Sequence, residues 1–167
     1  MNIIKSIRNR IFQLLALYIP GSTSIRVWLH RKRGVQIGED VFISTAVIIE
    51  TEYPEKVSIG KNVTLGIRST IIAHFNDQVS SGITVNIEDD VYIGPGVIIL
   101  PNVIIGKGSV ISAGSVVKTS IPPKSMVAGN PAKIVAICEK PLAYNKGLSY
   151  NEFIDNLKPI RKIKRNG

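Results

Sequence analysis

From Val35 onward the apolar residues recur in a fixed frame. A Val or Ser is followed by a variable residue and then Ile, Leu or Val, and three more residues pass before the frame repeats. The units read VQIGED, VFISTA and VIIETE; after four extra residues (53–56) VSIGKN, VTLGIR and STIIAH; and after ten more (75–84) VNIEDD, VYIGPG, VIILPN, VIIGKG, SVISAG and SVVKTS. An apolar pair spaced two apart is the alternation of a short strand with one buried face. The residues after it are often Gly, Pro, Asn, Asp or Lys, which suit a bend. One such unit cannot bury its apolar face alone, so the units must wind into a solenoid whose coils stack edge on edge. Both insertions follow a third hexad. That predicts three hexads per coil, a triangular cross-section and a rise of roughly 4.8 Å per coil.

The two ends follow another period. Apolar residues at 3, 4, 7, 11, 14, 15 and 18 draw one stripe along a helix, with Lys5, Arg8 and Arg10 mostly off it. Pro20-Gly21 stops that helix, and a second short one runs through Ile25, Val27, Trp28 and Leu29 to end before Gly34. The stripe suits packing on the solenoid end or on a neighbour; an interfacial membrane helix is the competing reading. Ser149 to Glu152 forms a capping-box pattern, opening a helix expected to run through Leu157, with Lys158 to Arg165 as a frayed basic tail. The chain thus divides into a basic helical segment (1–34), a repeat body (35–137) and a C-terminal segment (138–167).

Composition narrows the chemistry. With 167 residues, 44% apolar and 20% charged, the chain suits one globular domain and neither disorder nor a collagen-like filament. A single cysteine, Cys138, excludes a disulfide framework and multi-thiolate zinc. Two histidines, His30 and His74, cannot supply a three-imidazole site, so no metal is expected. No apolar run approaches the roughly 18 residues of a membrane span. Without a recognisable signal peptide the expected location is cytoplasmic, at the inner face of the membrane if the N-terminal helix docks there. The net charge of +9 divides as +7 over residues 1–34, −2 over 35–137 and +4 over 138–167. The basic ends lack interleaved aromatics and any nucleic-acid recognition motif, and suit anionic lipid or a phosphorylated acceptor better.

His74 is the candidate for chemistry. It closes a third hexad just before the ten-residue insertion, where a pocket wall can form. A neutral imidazole there can serve as a general base near pH 7, although a structural histidine at a strand end is the plainer reading. The register puts Glu52 one coil earlier and Asn102 one coil later, each roughly 5 Å away. Glu52 could orient the imidazole, stabilise its protonated form or accept a hydroxyl from the acceptor; it could equally be a solvated corner residue. Asp77, within the insertion, is a weaker rival for the orienting role, and Asn102 suits a corner.

The segments LGIRST, YIGPGV, IGKGSV and AGSVVKTSIPPKSMVAGNPAKIV resemble the hexapeptide-repeat acyltransferases, over about residues 35–137. The resemblance implies an all-β fold, a left-handed parallel β-helix, although parallel crossovers are generally right-handed. It also implies a homotrimer with active sites between subunits and acetyl-CoA as co-substrate. His74 matches the family's catalytic histidine, and Glu52 matches an acidic residue that helps bind the sugar in galactoside-type members. Gly94, Ala113 and Gly114 match positions along the pantetheine arm, Lys118 and Thr119 a pair near the nucleotide, and Lys133 of GNPAK the basic residue near the phosphates. Pro95 replaces a serine of the galactoside-type enzymes, and Ala136 an arginine of some relatives, for which Lys124 could compensate. The expected function is acetyl transfer to a hydroxyl of a saccharide or envelope polysaccharide precursor. A small-molecule enzyme of the serine or antibiotic type is one alternative, although serine enzymes carry a longer helical N-terminus. A catalytically silent scaffold is the other, against which His74 and GNPAK both speak.

Overall fold

The computed structural model describes residues 3–75, 82–142 and 149–160. Its body is a three-sided solenoid of four coils. The first face holds β1 (Gln36–Ile37), β4 (Val57–Ile59), β7 (Val85–Ile87) and β10 (Val103–Ile105), paired parallel in that order. The second holds β2 (Phe42–Ile43), β5 (Thr64–Leu65), β8 (Tyr92–Ile93) and β11 (Val110–Ile111), and the third β3 (Ile48–Ile49), β6 (Thr70–Ile71), β9 (Ile98–Ile99) and β12 (Val116–Val117). The register is the one the hexads predict, with Gln36 beside Ser58, Ser58 beside Asn86 and Asn86 beside Ile104. First and third hexad positions point inward. Columns such as Ile43, Leu65, Ile93 and Ile111 are fully buried, each side chain contributing on the order of 1.5–3 kcal/mol.

The corners repeat as well. Sixth positions of the first and second hexads take left-handed backbone: Asp40, Asn62 and Asp90 at one corner, Ala46, Arg68, Gly96 and Gly114 at the next. At the third corner only Asn102 does so (φ 63°); Glu52 and His74 do not, because both insertions leave the solenoid there.

Helices α1 (Ile3–Tyr18) and α2 (Ile25–Arg33) match their predicted spans, and Gly34 ends α2 at φ 112°. Together they close the open edge of the first coil. A strand edge leaves main-chain groups unpaired, and here loop backbone and long polar side chains pair them. Ile43 N donates to Ser22 O and Ala46 N to Leu17 O. Gln13 Nε2 donates to Val47 O, Arg26 Nη1 to Ile43 O, Arg31 Nη2 to Gly38 O and Arg33 Nη2 to Ile49 O. This inverts α1 relative to an ordinary amphipathic helix. Asn9, Gln13 and Ala16 face the solenoid, while the apolar stripe faces outward.

At the other end, β13 (Ser125–Ala128) continues the second face, and β14 (Lys133–Cys138) folds back antiparallel to it. Helix α3 (Tyr150–Asp155) opens with the expected capping box: Ser149 Oγ accepts from Glu152 N, and Glu152 Oε2 accepts from Ser149 N. It ends two residues before Leu157. Residues Leu157–Pro159 instead form β15, which pairs antiparallel with β14, and Lys158 ion-pairs with Glu139 rather than fraying, while 161–165 of the expected tail lie outside the described residues. The unpaired outer edge of β14 and the apolar cluster of Val110, Cys138 and Phe153, against which Leu157 packs, account for the change.

Candidate active site

His74 closes β6's hexad at the third corner, with 18% of its side chain exposed. Its Nδ1 lies 2.9 Å from Oε2 of Glu50, a residue at the end of β3 one coil earlier. Glu50 is buried, and its two oxygens also accept from the main-chain N–H groups of Ala73, Glu52 and Tyr53. Burial pushes its carboxyl upward, but the hydrogen bonds from Glu52, His74, Ala73 and Tyr53 outweigh burial and hold it below the usual carboxylate range. An ionised carboxylate only accepts, so the imidazole proton sits on Nδ1 and the lone pair on Nε2 faces the open side.

Three further groups frame the ring. The ring of Tyr53 packs edge-on, centroids 5.0 Å apart, with the ammonium of Lys56 4.8 Å above its centre. Thr84 Oγ1 donates to Ala73 O and ties the far end of the insertion to the strand end carrying His74. Glu52, 36% exposed, places Oε2 3.7 Å from Nε2 of His74, and Arg10 of α1 reaches within 3.9 Å of its other oxygen. The orienting carboxylate is thus Glu50 rather than Glu52. Glu52 stands beside Nε2, on the open side of the ring. Asn102 turns its corner as expected; Asp77 lies outside the described residues.

Beneath Glu50 lies a second buried layer. Arg33 donates to Gln13 Oε1 at 2.5 Å, to Ile49 O at 2.8 Å and to the main-chain oxygen of Glu50, and approaches His30 Nδ1 at 2.9 Å. Burial, then the neighbouring Arg33, lowers the pKa of His30 to about 3, so this imidazole is neutral at physiological pH.

The residues matched to the coenzyme arm lie at a different corner, between the second and third faces. An added Cβ on Gly94 would come 2.6 Å from Ala113 N, so the coils stack here without room for a side chain. Gly94 and Ala113 line a cleft of about 200 Å³ with Pro95 and Ser112, walled by Tyr150 and Phe153 of the α3 segment. Ser112 Oγ is buried there without a hydrogen-bond partner, which suits an amide-bearing arm. Gly114 is exposed beside the cleft, and Lys133 starts β14 at the same corner, opposite Ala128. Lys118 and Thr119 are exposed on the third corner, two coils beyond His74. Within one chain, the structure therefore groups Gly94, Ala113, Gly114 and Lys133 away from His74. Cys138 is buried, its thiol pushed up to about 11 by desolvation, and plays no part at either corner.

Residues 84–119 match the family described as bacterial transferase hexapeptide (six repeats), and 56–73 match the hexapeptide repeat of succinyl-transferase. The protein YvoF of Bacillus subtilis (strain 168), named as a putative acetyltransferase, is 35% identical over 146 residues, 79% of this chain and 77% of its own. The chain belongs to the hexapeptide-repeat acetyltransferases. Among solved members, a hexapeptide-repeat-containing acetyltransferase from Vibrio cholerae O1 biovar eltor, complexed with acetyl coenzyme A, is 26% identical. It matches with a TM-score of 0.62 over 78% of this chain and 85% of that one. A maltose O-acetyltransferase from Clostridium difficile 630 shares the fold, with a TM-score of 0.55 at 23% identity over 82% and 86%. The solenoid is accordingly the left-handed parallel β-helix expected for this family.

Proposed function

We propose that the chain transfers an acetyl group from acetyl-CoA to a hydroxyl of a saccharide or envelope polysaccharide precursor, with Nε2 of His74 as general base. The observation that carries this reading is the Glu50–His74 pair, in which a buried carboxylate fixes the tautomer that leaves Nε2 free. Acetyl-CoA supplies the acetyl group as an activated thioester. Nε2 of His74 takes the proton of the acceptor hydroxyl as its oxygen bonds to the thioester carbon, and Glu50 stabilises the imidazolium that results. As the C–S bond breaks, the imidazolium returns that proton to the departing coenzyme A thiolate. Glu52 accepts a hydrogen bond from the acceptor. Ser112 and the bare backbone around Gly94 and Ala113 hold the coenzyme arm, while Lys118, Thr119 and Lys133 meet its nucleotide end. The cationic side chains fit its phosphates by charge.

A saccharide acceptor is supported by the groove next to the His74 corner. It encloses about 390 Å³ and is lined by Ser58, Thr84 and Asn86 together with Ile83, Val103 and Ile104, a mixture of hydroxyl, amide and apolar groups. The separation of His74 from the coenzyme corner supports a homotrimer, in which one subunit's base meets its neighbour's coenzyme cleft. The outward column Ile48, Thr70, Ile98 and Val116 on the third face supplies apolar surface for that packing. The test is free-thiol release from acetyl-CoA against mono- and oligosaccharides and L-serine, with His74→Ala alongside. Saccharide-dependent release that vanishes in the variant is expected, with coenzyme A affinity unchanged. Release with serine alone overturns the acceptor class, and equal loss of turnover and affinity overturns the base role.

A further inference from the structure

We propose that the outward face of α1, continued by Trp28 of α2, docks on an anionic lipid membrane. The observation behind this is the inversion of α1. Asn9, Gln13 and Ala16 are the residues α1 turns toward the solenoid, so its seven large apolar side chains face outward. Ile4 is 76% exposed, Tyr18 74% and Leu14 65%, with Ile3, Ile7, Ile11 and Leu15 exposed beside them. Single exposed apolar residues are ordinary, but a contiguous helical stripe marks an interaction surface.

The charge around the stripe selects the occupant. Of the seven basic groups in residues 1–34, which hold no acidic one, Arg26 and Arg33 are buried against the solenoid and Arg31 is bonded to Gly38 O, leaving Lys5, Arg8, Arg10 and Lys32 for the outer face. Arg8 borders a groove of about 270 Å³ formed by Ile4, Ile7, Ile11 and Phe12. The ring of Phe12 stacks near Trp28, centroids 6.2 Å apart, and the ammonium of Lys32 stands 5.8 Å from the Trp28 ring. Among the described residues no carboxylate pairs with Arg8 or Lys32, whereas Lys5 and Arg10 on the flank meet Glu55 and Glu52. An apolar strip rimmed by free cations, with an indole at its margin, is the pattern of a helix lying in the headgroup region. A second copy would bring the same unpaired Arg8 and Lys32 against each other, and its flanking Glu55 and Glu52 are already met by Lys5 and Arg10. At 16 residues α1 extends about 24 Å, and no described helix is long and apolar enough to cross a membrane. The helix therefore lies along the surface.

Trp28 is the chain's only tryptophan and reports on its own face. The experiment mixes the full-length protein with phosphatidylcholine vesicles, with and without 30% phosphatidylglycerol, and follows co-sedimentation and Trp28 emission at 0.1 M and 0.5 M NaCl. Binding confined to the anionic vesicles, weakened by salt and accompanied by a blue shift, is expected. Ile7→Ser with Leu14→Ser should abolish it without lowering Tm, since both side chains are already in water. Arg8→Gln and Lys32→Gln should each weaken it about fivefold. Absence of vesicle binding by the parent protein overturns the proposal. So does a double serine variant that keeps vesicle binding but loses assembly mass in light scattering, because the face would then join copies of the chain.

Discussion

Arg33 donates to the main-chain oxygen of Glu50, while the carboxylate of that same glutamate accepts from Nδ1 of His74. The N-terminal helices and the catalytic corner thus meet in one residue: α2 holds its backbone, and the second coil uses its side chain. Arg33→Lys keeps the charge but loses the fork in which Nη2 holds Ile49 O and Glu50 O while Nη1 holds Gln13 Oε1. We expect turnover to fall by up to about 100-fold, as for a reacting group displaced by about 1 Å, with coenzyme A affinity unchanged. Steady-state kinetics beside calorimetric titration of coenzyme A separates the two.

Glu50→Gln tests the tautomer directly. An amide placed against Nδ1 can donate, which moves the ring proton to Nε2 and removes the lone pair the reaction needs. Turnover should drop by about 10²–10⁴, and Tm should fall as well, because the oxygen that faces Nδ1 also accepts from Ala73 N and an amide nitrogen there would leave that N–H unpaired. Glu50→Ala should be worse for stability than for specificity of the defect. It strands the N–H groups of Ala73, Glu52 and Tyr53, at roughly 1–3 kcal/mol for each one left buried and unpaired.

Acid should unfold this protein in two windows. An unfolded imidazole binds its proton near 6.5, whereas folded His30 does so only near about 3. Between these values the unfolded chain holds the extra proton, so stability falls as pH drops, by up to about 1.4 kcal/mol per pH unit. Glu50 adds loss of the same sign once pH passes below 4.5 towards its depressed folded value. Urea unfolding at stepped pH should show a slope between pH 6 and 5 that His30→Gln removes, while the steeper loss below 4.5 remains.

The two glycines matched to the coenzyme arm should respond differently. Gly94→Ala drives a Cβ to within 2.6 Å of the next coil's backbone, and the soluble yield should collapse. Gly114→Ala meets open space but carries a φ of 69°, so its cost should stay near about 1 kcal/mol. Lys133→Ala should leave Tm in place and raise the coenzyme A Kd several-fold, read by calorimetry; an unchanged Kd would remove Lys133 from the site.

The repeat body was legible because each Val and Ile of a hexad answers to one coil and one face, independent of everything distant. The helices were legible in span but not in orientation. Nothing in 3–18 says that Gln13 will be spent on Val47 O and Ile49 N, since that demand arises only once the first coil exposes an edge. Leu157 was misjudged for a related reason: a capping box marks where a helix starts, and the edge of β14 decided where it ended. Glu50 is not marked by the sixth hexad position, which points to Glu52. Its signal was present at the fourth, where the next two coils carry Ile72 and Leu100 and a glutamate is out of place. His74 stands out in the sequence by its position before the insertion.

Both insertions depart from the corner that carries His74, and after each the hexad frame restarts in the same register. The inward hexad columns therefore do not set the lengths of 53–56 and 75–84, although Tyr53, Lys56 and Thr84 brace the His74 corner. The chain around His74 is freer to vary in length, while the cleft at the other corner is tied to coil stacking at Gly94, where a Cβ would meet Ala113 N at 2.6 Å. Descent within such a scaffold would change what is modified far more readily than what does the modifying.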